Sequence, residues 1–231
     1  MNTFDSTILR FLNQFAFRSA TFDHMVIAFS GFYLTRGLVL MAMLWWIWFR
    51  NGPSVRRDRE IVVTTIVSSF VALLIGRMLA HRLPFRVRPF ANPDLAMSFP
   101  SDPSTMYMLR TWSAFPSDHA MMWCAVATGI FLASRRLGVA AIVYTVVLIG
   151  LPRIYLGLHH PTDVLAGLAL GALICVLLNR AVIRQRIAAP VLNWSAKHQA
   201  AFHVAIFLLS FELASQFDEI RLLSESFLKR L

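Results

Sequence analysis

The chain has 231 residues, of which 57% are hydrophobic and only 15% are charged, and its mean hydropathy is +0.60. Soluble domains carry roughly 25% charged residues, so this composition excludes an ordinary soluble core and predicts a polytopic membrane protein. The net charge of +10 comes mostly from arginines beside apolar segments, where they set topology and meet anionic lipid head groups. Because no nucleic-acid-binding motif accompanies this charge, we expect no nucleic-acid partner.

The apolar segments predict an all-α bundle of five to six membrane-spanning helices, with the whole chain, residues 1–231, forming one domain. Residues 3–19 predict a short amphipathic helix that is too polar to span and suits the membrane interface. Six prolines in segment 81–116 predict a structured loop rather than a helix. The first predicted span lies within about 24–49. The next four cover about 60–80, 117–134, 138–156 and 161–179, and a weaker sixth covers 199–217.

Three arginine-rich connections, at 50–59, 135–137 and 180–198, fall on one side of the predicted bundle. The positive-inside rule makes that side cytoplasmic. Segment 81–116 and the turn at 152–160 then lie on the opposite side of the membrane. Segment 81–116 is also rich in arginine, against the rule, and phosphate binding explains that exception.

Two charged residues, Arg36 and Glu212, lie within predicted spans. A charge inside the membrane is costly and is normally paired. We expect these two residues to pair with each other, or Glu212 to pair with Arg77. Alternatively, the first span starts late and leaves Arg36 at the interface.

Three polar clusters, at 81–89, 115–119 and 153–163, lie at the ends of spans on the same predicted face, opposite the basic connections. In the third cluster, Asp163 lies in the first turn of a helix, where a carboxylate complements the positive helix end. From there it can accept the Nδ1–H of His159 and leave Nε2 free to attack.

The other two clusters supply groups that suit an anion. Ser117 can cap a helix, and the amides of Asp118 and His119 can form an anion site at its start. His119 can also donate a proton to a leaving oxygen. Arg86 and Arg88 can neutralise the charge of a phosphoryl group. Each residue alone has a structural explanation, such as capping or snorkelling to the interface, so the argument rests on all three clusters meeting on one face.

The clusters resemble the three-part signature of the phosphatidic-acid-phosphatase type 2 superfamily: Lys-x6-Arg-Pro, Pro-Ser-Gly-His and Ser-Arg-x5-His-x3-Asp. The resemblance extends from about residue 60 to about residue 180. The matching residues are Arg88, Pro89, Pro116, Ser117, His119, Arg153, His159 and Asp163. Three positions depart from the pattern: Asp118 replaces the glycine, His81 with Arg82 beside it stands at the lysine, and Pro152 replaces the serine before the third-part arginine.

By this resemblance His159 is a nucleophile that forms a phosphohistidine, Asp163 orients it, and His119 protonates the leaving group and later activates water. The phosphate-binding residues would be Arg88, Arg153 and Ser117, with Asp118, His81, Arg82 and Arg86 as further candidates. The segments 88–90 and 115–120 resemble the bacitracin-resistance type of undecaprenyl pyrophosphate phosphatase. That type implies release of phosphate from the C55 lipid carrier at the outer face of the bacterial inner membrane.

Alternative functions remain open at this point. The same chemistry can act on phosphatidate, phosphatidylglycerol phosphate or a lipid A phosphate. A metal-binding or non-catalytic membrane protein is the remote alternative, because the histidines and Asp163 have side chains that bind zinc. The abundant arginines would repel a cation, so we expect no metal and no cofactor. The expected partners are a lipid phosphate or pyrophosphate substrate and membrane lipids, and the sequence does not indicate an oligomeric state.

Overall fold

The architecture was obtained as a computed structural model, which describes residues 2–215 apart from the side chain of Arg36. Residues 2–215 contain helices and loops but no β-strand, which confirms the all-α prediction. In chain order the helices are α1 (Thr3–Asn13), α2 (Ala20–Gly31), α3 (Val39–Phe49), α4 (Val55–Arg82), α5 (Pro103–Leu109), α6 (Asp118–Ala133), α7 (Arg135–Tyr155), α8 (Pro161–Leu178), α9 (Ala181–Lys197) and α10 (Gln199–Ser215). Helices α4, α7 and α8 are long and apolar enough to cross a membrane, and α3, α6 and α10 are shorter apolar helices.

Helix α6 is the central helix of the bundle. Every residue from 120 to 130 is buried, and the helix packs against α3, α4, α7 and α8. Trp123 and Met122 are fully buried and join the largest apolar cluster, to which α3 contributes Leu40 and Leu44. Because α6 is held on all these sides, its first residues have a fixed position at one end of the bundle.

Helices α6 and α8 approach each other closely through two glycines four residues apart. A Cβ atom added at Gly171 would lie 2.0 Å from the backbone oxygen of Met121, and one at Gly167 would lie 2.5 Å from that of Ser117. Small residues at this spacing let two membrane helices bring their backbones together. The start of α8 therefore lies against the start of α6, and Ser117 N–H donates to the Asp163 carbonyl oxygen at 3.1 Å.

We expect Gly171→Ala to lower the Tm of the detergent-solubilised protein, because the added methyl group forces α6 and α8 apart. Overpacking of this kind costs about 1–3 kcal/mol. Thermal unfolding followed by circular dichroism measures the effect. Gly31→Ala is the matched control, since a Cβ there meets nothing within 4 Å. Equal Tm values for the two variants would contradict the close helix contact.

The first predicted span lies within residues 24–49, and the structure divides this segment into two helices, α2 and α3. Helix α2 stops before Phe32, whose backbone is extended, and a π-helical turn at Leu34–Leu38 then leads into α3. The Thr35 hydroxyl donates to the carbonyl oxygens of Phe29, at 2.7 Å, and Phe32, at 3.2 Å. This side chain stabilises the break because it satisfies carbonyl groups that the interrupted helix leaves open.

Other helix boundaries also differ from the predictions. Helix α1 ends at Asn13 rather than continuing to residue 19. Segment 81–116 contains helix α5, because the Asp102 carboxylate caps it by accepting the Thr105 N–H at 3.0 Å. The basic segment 180–198 is mostly helix α9.

The predicted charge pairs within the spans have different outcomes. The side chain of Arg36 lies outside the described part of the structure, so its predicted pairing with Glu212 stays a prediction. Arg77 lies beside another carboxylate, that of Asp118, with Nε 3.9 Å from Oδ2.

Candidate active site

The three polar clusters meet at one end of the bundle, where α4 ends, α6 and α8 begin, and α7 ends. A cavity of about 330 Å³ opens there. Its polar lining includes Arg77, Arg88, Asp118, His119, Arg153 and His159, and its apolar lining includes Ile27, Met108, Leu109, Trp112, Leu156 and Leu158. A second cavity of about 180 Å³ reaches His159 from the side of His81 and Phe85.

His159 is fixed by a tight turn between α7 and α8. The carbonyl oxygen of Arg153 accepts the N–H groups of Leu158, at 3.0 Å, and His159, at 3.1 Å. Gly157 has a positive φ of 69°, and a Cβ there would collide with the ring of Phe99. The turn buries the His159 ring almost completely, with 2% of its surface exposed. This ring is therefore held in one place at the cavity wall.

The hydrogen bonds of His159 determine which ring nitrogen is unprotonated. Nδ1 lies 2.7 Å from the carbonyl oxygen of Ala114, which can only accept, so Nδ1 is the protonated nitrogen. Nε2 then has a lone pair, and it lies 3.4 Å from an Arg88 terminal nitrogen. The expectation that Asp163 accepts the Nδ1–H is wrong, because the nearest Asp163 oxygen is 4.0 Å away.

Asp163 instead organises the backbone beside His159. One carboxylate oxygen accepts the His160 N–H at 2.7 Å, and the other accepts a hydrogen bond from Arg86. A second Arg86 nitrogen donates to the Asp5 carboxylate at 2.7 Å. The guanidinium of Arg86 thus binds two protein carboxylates, which differs from the expected direct contact with phosphate.

Asp5 belongs to α1, yet it completes the start of α8. Its carboxylate is fully buried and accepts both the N–H and the hydroxyl of Thr162, each at 2.8 Å. Burial alone would raise the pKa of Asp5, but the hydrogen bonds from Thr162 and Arg86 outweigh it and lower that pKa below the usual 3.8. Asp5 was not among the predicted site residues. The available signal was a lone carboxylate on the same helix face as the buried Leu9, four residues later.

Asp5→Asn is expected to reduce both stability and kcat. Breaking a buried ion pair costs roughly 3–5 kcal/mol, and small displacements of reacting groups lower kcat by up to about a hundredfold. Tm and steady-state kinetics on the same preparation measure the two effects. The exposed Asp94→Asn is the matched control. If Asp5→Asn lowers Tm but leaves kcat unchanged, the Asp5–Arg86–Asp163 chain has no role in positioning the site.

Arg88 fixes the loops around the ring of His159. Its guanidinium donates to the carbonyl oxygens of Leu158 at 2.8 Å, Trp112 at 3.1 Å and Ser113 at 3.3 Å. Arg88 and Arg153 are both buried, and both line the larger cavity. Two positive charges therefore line the cavity together with His159, and the charge of Arg88 is 3.4 Å from its Nε2.

His119 faces the same cavity from the start of α6. Its Nδ1 lies 2.9 Å from Oδ1 of Asp118, which also accepts the His119 backbone N–H at 2.8 Å. Because the carboxylate accepts from Nδ1, Nε2 is the nitrogen available to a reacting group. Asp118 thus contacts a histidine and Arg77, and the sequence analysis did not foresee either contact.

The remaining predicted residues lie at different distances from the cavity. Ser117 is fully buried, and its hydroxyl has no hydrogen-bond partner among residues 2–215. His81 lines the smaller cavity, with its ring 6.3 Å from that of Trp112. Arg82 is exposed and lines neither cavity. Within residues 2–215 no group of three or more His, Cys, Asp or Glu side chains is arranged to hold a metal ion.

Comparison with known proteins identifies the family. The family model of the PAP2 superfamily matches residues 60–187, which is more than half of the chain and includes all three clusters. The chain belongs to the PAP2 superfamily. This confirms the resemblance found in the sequence. The PAP2 superfamily places the chain in a family of membrane lipid phosphatases.

Two individual relatives, with low sequence identity to this chain, are consistent with the family. The PAP2 chain is 26% identical to a bacitracin transport permease protein, BcrC, of Bacillus licheniformis over 165 residues, 71% of this chain and 73% of that protein. It is 30% identical to an undecaprenyl-diphosphatase of Sulfolobus acidocaldarius over 125 residues, 53% of this chain and 55% of that protein. The chain thus spans about half the length of the second relative.

A solved structure shares the fold. The crystal structure of Aquifex aeolicus LpxE matches with a TM-score of 0.52 at 23% identity, covering 74% of this chain and 92% of that chain. At this identity the likeness concerns the arrangement of the helices alone.

Proposed function

We propose that this protein hydrolyses undecaprenyl pyrophosphate to the monophosphate and inorganic phosphate through a phosphohistidine formed on His159. The observation that supports this most directly is the unprotonated Nε2 of a buried histidine, 3.4 Å from an Arg88 nitrogen, on a cavity that Arg153 and His119 also line. A nucleophile oriented by a hydrogen bond on its other nitrogen is the arrangement that covalent catalysis requires.

In the first step Nε2 of His159 attacks the terminal phosphorus. A nitrogen–phosphorus bond forms, and the bond to the bridging oxygen breaks with its electron pair leaving on the lipid monophosphate. His119 donates its Nε2 proton to that oxygen. Arg88 and Arg153 neutralise the charge on the equatorial oxygens, and the Ser117 hydroxyl has to turn toward the cavity to add a hydrogen bond.

In the second step water breaks the nitrogen–phosphorus bond. His119 is now neutral and accepts a proton from the water as the water oxygen attacks phosphorus. The bond electrons return to Nε2 of His159, and inorganic phosphate leaves. The Nδ1–H bond to Ala114 remains in place throughout, so the same tautomer is ready for the next cycle.

The choice of substrate rests on likeness rather than on the cavity. The segments 88–90 and 115–120 resemble the bacitracin-resistance type, and one relative is named an undecaprenyl-diphosphatase. The cavity lining includes six apolar side chains, as a lipid substrate requires, but they do not select one lipid. Phosphatidate, phosphatidylglycerol phosphate and a lipid A phosphate are therefore the comparison substrates.

We also propose that the protein lies in the bacterial inner membrane with the cavity on the outer side. The support is the distribution of arginines. Arg56, Arg57, Arg135 and Arg136 are exposed at the end of the bundle away from the cavity. Arginine-rich connections mark the cytoplasmic side of a membrane protein.

Phosphate release by purified protein in detergent, with EDTA present, tests the proposal. The four lipids are compared at equal surface concentration, each with wild type and with His159→Ala. We expect EDTA-resistant release that is fastest from undecaprenyl pyrophosphate and absent in the variant. Release that requires a divalent cation would overturn metal independence, and faster turnover of another lipid would reassign the substrate.

The pH profile of kcat/KM should keep its acid limb below pH 6.5. Burial, followed by the charges of Arg88 and Arg153, lowers the pKa of His159 well below the usual 6.5. The attacking ring must be neutral, so a lowered pKa keeps it active as pH falls through 6.5. Arg153→Gln removes one positive charge, which raises the pKa of His159 and moves the acid limb to higher pH. Arg153→Lys is the charge-preserving control. Ionisation of the substrate affects wild type and both variants equally. An acid limb at the same pH in wild type and in Arg153→Gln would contradict the assignment of that limb to His159.

A further inference from the structure

A groove of about 1110 Å³ lies at the end of the bundle opposite the active site. It runs between the end of α3, the start of α4, α9 and the start of α10. Helix α4 joins the two ends of the molecule, since Glu60 lines this groove and Arg77 lines the active-site cavity. At 1.5 Å per residue, about 25 Å of helix separates them. The groove is therefore a separate site.

One wall of the groove is strongly basic. Its lining contains four arginines, Arg56, Arg57, Arg59 and Arg184, and among the described residues Glu60 is the one carboxylate in the lining. Two of the arginines share that carboxylate, with Nε–Oε distances of 3.5 Å for Arg56 and 3.3 Å for Arg184. Four positive charges against one negative charge leave an excess of three, which favours an anionic ligand.

The groove lining also contains the aromatic residues Trp48, Phe49 and Phe202. Trp48 stacks on Phe202 with ring centroids 5.1 Å apart, and the Arg59 guanidinium lies 5.2 Å from the centroid of Trp48. Phe49 lines the groove and is exposed, and so is Phe207 farther along α10. An occupant can thus contact arginines and exposed apolar side chains at the same time.

We propose that this groove binds the phosphate head group of an anionic phospholipid, with the acyl chains lying along the exposed faces of α3 and α10. Basic pockets between membrane helices bind anionic head groups in this way. The adjoining apolar surface favours a phospholipid over free phosphate, because only the lipid has chains that bury it. The proposal is independent of the substrate assigned to the active site.

Thermal stabilisation in neutral detergent tests the proposal. Delipidated protein is titrated with detergent-solubilised dioleoyl phosphatidylglycerol, with dioleoyl phosphatidylcholine and with inorganic phosphate. The groove variant is Arg56→Gln/Arg57→Gln, and the matched control is Arg135→Gln/Arg136→Gln, which removes the same charge from exposed arginines at the same end of the bundle. A ligand that binds the folded protein alone raises Tm, and the rise grows with the logarithm of the ratio of ligand concentration to Kd.

We expect phosphatidylglycerol to raise the Tm of wild type and of the control variant. It should bind the groove variant at least tenfold more weakly, because each arginine near the surface strengthens binding to anionic lipid by roughly fivefold. Phosphatidylcholine should give no such shift. If both double variants lose the stabilisation by phosphatidylglycerol equally, the effect is a non-specific effect of charge, and the proposed binding site is wrong. Stabilisation by inorganic phosphate that only the groove variant loses would overturn the phospholipid assignment. Stabilisation by phosphatidylglycerol that persists in the groove variant would place the lipid elsewhere, for example in the active site.

Discussion

Replacing His159 with alanine should reduce phosphate release from every lipid by at least about four orders of magnitude, the scale seen when a covalent nucleophile is removed. The loss should be this large because no described residue duplicates its position. The adjacent histidine, His160, has its Nε2 directed at the carbonyl oxygen of Val87, at 3.1 Å, and away from the attack position. Steady-state phosphate release and quenched labelling with terminally ³²P-labelled lipid measure the effect.

His198→Ala is the matched control for this change, because His198 is exposed between α9 and α10, at the far end of the bundle. It should release phosphate at the wild-type rate and give labelled protein after an alkaline quench. Tm values for both variants establish that each is folded. Labelled protein in His159→Ala would mean that another residue is the nucleophile, and the proposed mechanism would have to be abandoned.

His119→Ala should slow the hydrolysis of undecaprenyl monophosphate more than that of undecaprenyl pyrophosphate. General acid catalysis contributes about 10²–10⁴-fold, and we expect the upper part of this range for the monoester. The monoester expels an alkoxide, a strong base that needs the proton, whereas the pyrophosphate expels a phosphate that is a far weaker base. The two substrates share one lipid chain, so binding differences remain small.

Asp118→Asn separates proton donation from positioning in this experiment. The amide retains an oxygen that can accept the Nδ1–H of His119, so this variant should lose less activity, by a similar factor on both substrates. If His119→Ala lowers the rate equally on the two substrates, His119 is not the acid that protonates the leaving group.

The parts of the fold that the sequence predicted share a simple physical origin. Long apolar runs without charge have few alternatives to a membrane helix, so α4, α7 and α8 were predicted within a few residues at most ends. The meeting of the three clusters followed from helix direction alone, since consecutive spans alternate sides. Proline and glycine positions then marked where those helices begin and end.

The errors arose where tertiary contacts decide the geometry. The partner of His159 Nδ1 is the backbone carbonyl of Ala114. Every residue has such a carbonyl, so the residue type does not indicate this contact. Arg86 has the same side chain as a phosphate-binding arginine, and only the folded chain shows that its partners are Asp5 and Asp163. The Thr35 hydroxyl bonds two carbonyl oxygens at the break after α2, and a hydropathy pattern does not register this contact.

The hydrogen bonds between Asp5 of α1 and the start of α8 also affect how the protein folds during synthesis. Asp5 bonds to Thr162, a residue 157 positions later, and to Arg86, 81 positions later. Helix α1 leaves the ribosome before α8, so its carboxylate has no complete set of partners until the start of α8 has been synthesised. Contacts between such distant positions form late because a long segment of chain must be ordered first. Docking of α1 is therefore one of the last steps in folding. In a chain arrested before α8, Asp5 stays a solvated anion.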